Sequence, residues 1–175
     1  MKRIIAKTPR TILRHFALKD AAAFFELNAD PEVLRYTGDA PFKSVSQARE
    51  FIRNYRHYQI YGYGRWSIIL SSTKEYMGFC GLNFSVKNHE VDLGFRLPRR
   101  FWGQGFATET GFAALREGFS NYGLEKIVGR AMAENKASLH VLEKLGMTFE
   151  KEFEEENMRW VQMSLRREDF GVFYE

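Results

Sequence analysis

Glu90 and Asp92 stand two residues apart in a run, Glu90-Val91-Asp92-Leu93-Gly94-Phe95-Arg96-Leu97, that Pro98 closes. A basic loop follows, Arg99-Arg100-Phe101-Trp102-Gly103-Gln104-Gly105, and Phe106-Ala107-Thr108-Glu109-Thr110 then opens a helical pattern. Strand, glycine loop and helix start in that order make an anion site. The first turn of a helix has N–H groups without helical acceptors and carries the positive end of the helix dipole. The ligand this predicts bears phosphate. Gly105 lets phosphate oxygens approach backbone N–H groups without meeting a side chain, and Ala107 and Thr108 keep the first turn slim. Glu90 and Asp92 alternate onto one strand face, so either carboxylate can serve as a base there.

The nucleotide fingerprints do not fit. Gly103-Gln104-Gly105 offers two glycines of a dinucleotide motif, but the third position is Thr108, residues 98–102 separate strand from turn, and Glu125 precedes the next strand instead of ending it. No Gly-Lys-Ser/Thr follows the glycines, which removes a triphosphate loop. His15, His57, His89 and His140 have no metal-ligand spacing with one another or with Cys80, so no metal is expected, and no Gly-x-Ser-x-Gly elbow occurs. Cys80 reads as a small buried hydrophobe.

At 175 residues the chain suits one domain spanning 1–175 and needs no disulfide or metal staple. The lone cysteine, the lack of a signal-peptide core and the absence of a ~20-residue apolar run predict a cytoplasmic protein with no membrane partner. A net charge of +4 is spread among alternating acids and bases, which gives no nucleic-acid footprint. The densest charge is negative, with Glu150, Glu152, Glu154, Glu155 and Glu156 within seven residues. Nothing marks the oligomeric state.

Elements follow one another without repeats or linkers. Residues 11–16 read as a strand, Asp20 caps a helix bearing Ala21, Phe24, Phe25 and Leu27, and Asp30 caps a short helix with Pro31 at its first position. Ser44 and Gln47 have capping-box spacing ahead of a helix to about Tyr58. Residues 65–70, 76–86 and 91–97 read as strands, with Gly78 and Gly81 marking a bulge or close backbone approach. A helix over 104–119 is expected to bury Thr108, Phe112, Leu115 and Phe119. Then come a strand at 126–132, a helix capped by Asn135 with Ser138, Val141, Leu142 and Leu145 on one face, and strands at 147–153 and 158–165. This order predicts an α/β fold, with a mixed sheet of about seven strands and helices on both faces. The glycine loop lies where hairpins give way to crossovers, a place where ligands sit.

These pieces together resemble the GNAT superfamily of acyl-CoA N-acyltransferases, in particular its branch of RimJ/RimL-type ribosomal-protein N-terminal acetyltransferases. The resemblance covers nearly the whole chain. It rests on Asn28-Ala29-Asp30-Pro31-Glu32-Val33, Gly78-Phe79-Cys80-Gly81-Leu82, Leu93-Gly94-Phe95, Trp102-Gly103-Gln104-Gly105-Phe106-Ala107-Thr108-Glu109, Asn135-Lys136-Ala137-Ser138 and Glu143-Lys144-Leu145-Gly146-Met147.

The resemblance implies an acetyl-CoA-dependent N-acetyltransferase with a mixed-sheet GNAT fold. Residues 103–108 (Gly103, Gln104, Gly105, Phe106, Ala107 and Thr108) would wrap the pyrophosphate, and the main chain of Phe95, Arg96 and Leu97 would hold the pantetheine arm where two strands part. Trp102 replaces the family's usual Gln or Arg, which shifts cationic help to Arg100 and then Arg99. Asp92 matches a place where a carboxylate often precedes the glycine. Glu90 and the run Glu154 to Glu156 are the other sources of base. A backbone N–H near Phe95 would take the oxyanion. The family's general-acid tyrosine falls on Leu142, leaving Ser138 to protonate the thiolate, while Asn135 would cap its helix and contact pantetheine. The acceptor is expected to be a primary amine, with a protein N-terminal α-amine competing against aminoglycoside, polyamine and amino-acid amines. Tyr36, Phe42, Tyr61, Tyr63 and Trp66 lie in the half that shapes its pocket. Leu142 also motivates a rival from another class, a non-catalytic CoA-binding sensor.

Overall fold

The computed structural model describes residues 3–171. Its strands are β1 (Ile4–Lys7), β2 (Thr11–Arg14), β3 (Arg65–Leu70), β4 (Tyr76–Ser85), β5 (Glu90–Arg96), β6 (Lys126–Met132), β7 (Thr148–Glu155) and β8 (Met158–Arg166). Its helices are α1 (Ala21–Leu27), α2 (Pro31–Leu34), α3 (Val45–Asn54), α4 (His57–Tyr61), α5 (Phe106–Arg116), α6 (Lys136–Lys144) and α7 (Arg167–Phe170). All eight strands form one sheet in the order β1-β2-β3-β4-β5-β6-β8-β7. Every neighbouring pair is antiparallel except β5 and β6.

The two sheet faces carry separate cores. Trp66, Ile68, Met77, Leu82, Leu93, Ile127 and Leu142 pack with Leu115 under α5 and α6, while Ile69 and Tyr76 pack with Phe16, Phe24, Leu27 and Ile52 under α1 and α3. The split follows from the two-residue period of strands, which sends Ile68 and Ile69 to opposite faces. Each such side chain removed from water contributes roughly 1.5–3 kcal/mol. One buried polar group pins the second layer: Asp20 accepts from Arg14 (2.7 and 2.8 Å), the Ser67 hydroxyl (3.0 Å) and the Ala17 N–H (3.1 Å).

Three of the four expected side-chain caps form; Asp20 precedes α1 but makes no cap hydrogen bond, its carboxylate being taken by Arg14, Ser67 and the Ala17 N–H. Asp30 accepts from the Glu32 N–H and Asn135 from the Ser138 N–H. Ser44 accepts from the Gln47 N–H, but the return bond from Gln47 reaches the Lys43 N–H, one residue earlier than a capping box requires.

Four expectations need correction. β1 was not foreseen, because four residues at a sheet edge leave little alternation to read. The helix expected up to Tyr58 is two helices, since Tyr55 is extended (φ −71°, ψ 105°) and turns its hydroxyl to the Arg65 N–H. α5 starts at Phe106, after the left-handed Gly105, so residues 104 and 105 lie outside it. Its buried face is Phe106, Thr110, Ala113, Ala114 and Leu115, with Thr108 and Phe112 only partly covered, and it ends in a π turn, Glu117–Asn121.

The sheet also opens. β5 and β6 pair only at Asp92 with Val128 and Leu93 with Gly129. Beyond that point β5 follows β4 as far as Arg96, and β6 follows β8 as far as Met132. Their facing backbone edges therefore part after Leu93.

Candidate acyl-transfer site

Gly103 (φ 69°) and Gly105 (φ 79°) turn the chain through left-handed conformations that side chains resist. A Cβ on Gly103 would meet nothing within 4 Å, and one on Gly105 only the Arg10 guanidinium at 3.5 Å. Both glycines thus leave open space over the loop. The first hydrogen bond of α5 runs from the Glu109 N–H to the Gly105 carbonyl (2.9 Å), so the amides of Phe106, Ala107 and Thr108 precede the helical ladder.

A contact from the far end of the chain steadies this loop. The Glu109 carboxylate accepts from the Thr8 hydroxyl (2.6 Å), the Arg10 N–H (3.0 Å) and Arg10 Nε (2.6 Å), and Arg10 Nη1 donates to the Gln104 carbonyl (3.0 Å). The guanidinium lies 4.0 Å over the Phe106 ring. Burial works against ionising Glu109, but these bonds outweigh it and hold the carboxyl below its usual range. Arg10 is the cation that packs on the loop, and no spacing in the sequence announces it. Arg99 pairs instead with Asp30 (2.9 Å), and Arg100 with Glu75 (2.6 Å), both with more than half the side chain exposed.

The Arg96 side chain leaves the loop altogether. It reaches Asn28 (2.5 Å) and Asp39 (2.6 Å) on the α1 face, so only its main chain borders the opened strands. The Trp102 indole N–H is spent on the Leu97 carbonyl (2.7 Å), while half of its ring stays exposed.

Asp92 pairs with Val128, one residue before the last β5–β6 pair, on the face away from α5. Oδ2 accepts from Arg65 (2.5 Å) and Oδ1 from Asn83 (3.3 Å). Glu90 lies two residues farther from the opening and is tied to Arg130 (2.5 Å), Gln162 and Lys126. A cleft of about 450 Å³ joins residues distant in sequence, among them Asn83, Asp92, Arg130, Gln162, Glu154 and Glu155. It brings two of the three sources of base together. Glu155 is paired with Lys87 (2.7 Å).

Residues 10–148 match the family model described as an acetyltransferase (GNAT) domain. Over 147 residues the chain is 36% identical to the uncharacterized N-acetyltransferase p20 of Bacillus licheniformis, covering 83% of this chain and 82% of that one. The chain belongs to the GNAT acetyltransferase family. A GNAT acetyltransferase structure from Bacillus anthracis superposes with a TM-score of 0.81 at 25% identity, covering 96% of this chain and 99% of that one. The spermidine N-acetyltransferase of Vibrio cholerae, solved with CoA and spermine, shares the fold with a TM-score of 0.79 at 20% identity, over 91% and 97% of the two chains.

GNAT acetyltransferases use acetyl-CoA as co-substrate, and this one has the parts that fit it: open glycines before a helix start, and two strand edges left unpaired. Helix α6 carries Leu142, Ser138 and Asn135, the positions that the resemblance connects with the leaving group. Leu142 is 2% exposed and packs so closely on Gly129 that a Cβ there would stand 2.6 Å from it. Leu142 is therefore part of the core. Ser138 is half-buried in the first turn of α6, and its hydroxyl makes no hydrogen bond among the described residues. The Asn135 side chain is engaged as the helix cap.

Cys80 is fully buried against α5, and burial pushes its thiol up to about 12. A thiol held protonated is no nucleophile. Cys80→Ala is expected to keep turnover within about two-fold while costing ~1–2 kcal/mol of stability for the lost packing. Steady-state kinetics beside thermal unfolding checks this, and abolished turnover would require an acyl-cysteine route.

Proposed function

We propose that this GNAT enzyme acetylates a protein N-terminal α-amine by direct transfer within a ternary complex, as the RimJ/RimL-type branch does. The observation that carries transfer is the opening of β5 from β6 beside Asp92, at the edge of a charged cleft. The amides of residues 103–108 would hold the pyrophosphate, and the main chain of residues 95–97 the pantetheine arm. The Phe95 N–H would face the acyl oxygen; one such donor is worth about 10²–10³ in rate. Asp92 would take the proton of the acceptor ammonium, a step worth about 10²–10⁴. The freed lone pair then forms the C–N bond, collapse of the tetrahedral intermediate breaks the C–S bond, and the second proton of the nitrogen passes to the thiolate through the Ser138 hydroxyl or water. A thiol of pKa ~8.5 is a tolerable leaving group, which suits the lack of a tyrosine.

Charge pairing supports a singly charged acceptor. Asp92, Glu90 and Glu155 each have a cation of their own in Arg65, Arg130 and Lys87, leaving little surplus negative charge for a second and third ammonium. The fold shared with a spermidine N-acetyltransferase and the carboxylate of Glu154, which lines the cleft with no ion pair among the described residues, favour polyamine as the second reading.

Free-thiol release from acetyl-CoA, followed with peptides bearing free or blocked N-termini and with spermidine, tests the proposal. Turnover is expected on free N-termini and none on blocked ones. Turnover on spermidine alone would replace the first reading by the second. CoA binding without turnover on any amine would overturn both in favour of a sensor.

A further inference from the structure

Arg65 opens β3, and its guanidinium reaches over β4 onto β5. Nη1 donates to the carbonyls of Gly81 (2.5 Å) and Asp92 (2.9 Å), and Nη2 to Asp92 Oδ2 (2.5 Å). A Cβ on Gly94 would stand 2.4 Å from Nη2. The guanidinium therefore fills the side-chain place of Gly94, the first residue past the last β5–β6 pair. Its own backbone is held from the other side. The Arg65 N–H donates to the Tyr55 hydroxyl (2.7 Å), and its carbonyl accepts from the Tyr58 hydroxyl. A Cβ on Gly64 would come within 3 Å of both tyrosine rings, so this clamp is close-packed.

Both partners of the ion pair keep less than a fifth of the side chain exposed. A buried pair is weak evidence for stability, because desolvation offsets most of the attraction, yet it is an effective way to hold one geometry. Its fork of donors takes up Oδ2 and the Asp92 carbonyl together, which leaves Oδ1, among the described residues, with only the long bond from Asn83 at 3.3 Å.

We propose that Arg65 is a positioning residue: it fixes Asp92 so that Oδ1 is presented to the acceptor amine at the point where β5 and β6 part. This rests on the transfer reading above and deepens it. Gly94 belongs to the same device, since any side chain there would expel the guanidinium.

The test compares Arg65→Gln, Arg65→Lys, Gly94→Ala, Asp92→Asn and the Arg65→Gln/Asp92→Asn double variant with the wild-type enzyme on its best amine. Arg65→Gln is expected to lower kcat about 30- to 100-fold, with the acetyl-CoA KM within about two-fold of wild type. Lysine should recover part of the loss, because it restores the charge without the planar fork. Gly94→Ala should reproduce Arg65→Gln. The double variant should be no slower than Asp92→Asn, since both changes remove one unit. A folded Arg65→Gln enzyme with wild-type kcat, losses that multiply in the double variant, or a rise in acetyl-CoA KM that accounts for the whole defect would each overturn the proposal. Should circular dichroism show Arg65→Gln unfolded, Arg65→Lys and Gly94→Ala carry the same comparison. A wild-type enzyme inactive on every amine would sink the transfer reading itself, a result distinct from active but indifferent variants.

Discussion

Gly105→Val is expected to weaken acetyl-CoA binding by about 10- to 100-fold while lowering stability by only ~1–2 kcal/mol. Space is available for the new Cβ, whose nearest neighbour would be the partly exposed guanidinium of Arg10 at 3.5 Å, an ordinary van der Waals contact. The fold therefore bears just the cost of placing a β-branched residue at φ 79°. Binding bears a different cost. The branched side chain would stand over the amides of Phe106, Ala107 and Thr108, and losing one charge-assisted hydrogen bond of about 1.5–3 kcal/mol produces that loss in affinity. Calorimetric titration with CoA, set beside thermal unfolding, separates the two effects. Undiminished affinity would contradict the phosphate role of the loop.

Gly78→Ala is expected to do the reverse, lowering stability by ~3–5 kcal/mol and so the melting temperature by about 10 °C or more. Gly78 has φ 107°, and a Cβ there would lie 2.0 Å from the Arg96 carbonyl oxygen and 3.1 Å from Leu97 Cα. Those atoms are backbone at and just past the end of β5, so relief requires β4 and β5 to separate there. Gly62→Ala is the control: its φ is 81°, with nothing within 4 Å, and it should cost only the ~1–2 kcal/mol of the left-handed conformation. Equal melting temperatures for the two variants would show that the close approach at Gly78 can be relieved cheaply.

The legible parts of this protein are those whose physical cause is local. Asp30, Ser44 and Asn135 cap helices because each side chain bonds an N–H two or three residues on. Gly103 and Gly105 mark the loop because their left-handed backbone suits glycine. Gly78 and Gly81 signalled a close approach for the same reason, although the partner strands could not be named. Errors arose where packing chose among local options. Of the stripe expected on α5, Leu115 and Phe119 are buried, but Thr108 and Phe112 are only partly covered, because the sheet takes the neighbouring face through Phe106, Thr110 and Ala113.

By itself the sequence determined the α/β order, the caps, the glycine loop ahead of a helix and the carboxylate two residues before Gly94. Only the tertiary structure decided that Arg10 staples that loop through Glu109, 99 residues away, and that Arg65 fills the space of Gly94 to grip Asp92, 27 residues away. It also decided that β5 and β6 part after Leu93. Contacts across such distances leave no periodicity in the chain: which cation meets which carboxylate depends on strand register and sheet face, and those exist only once the sheet has formed.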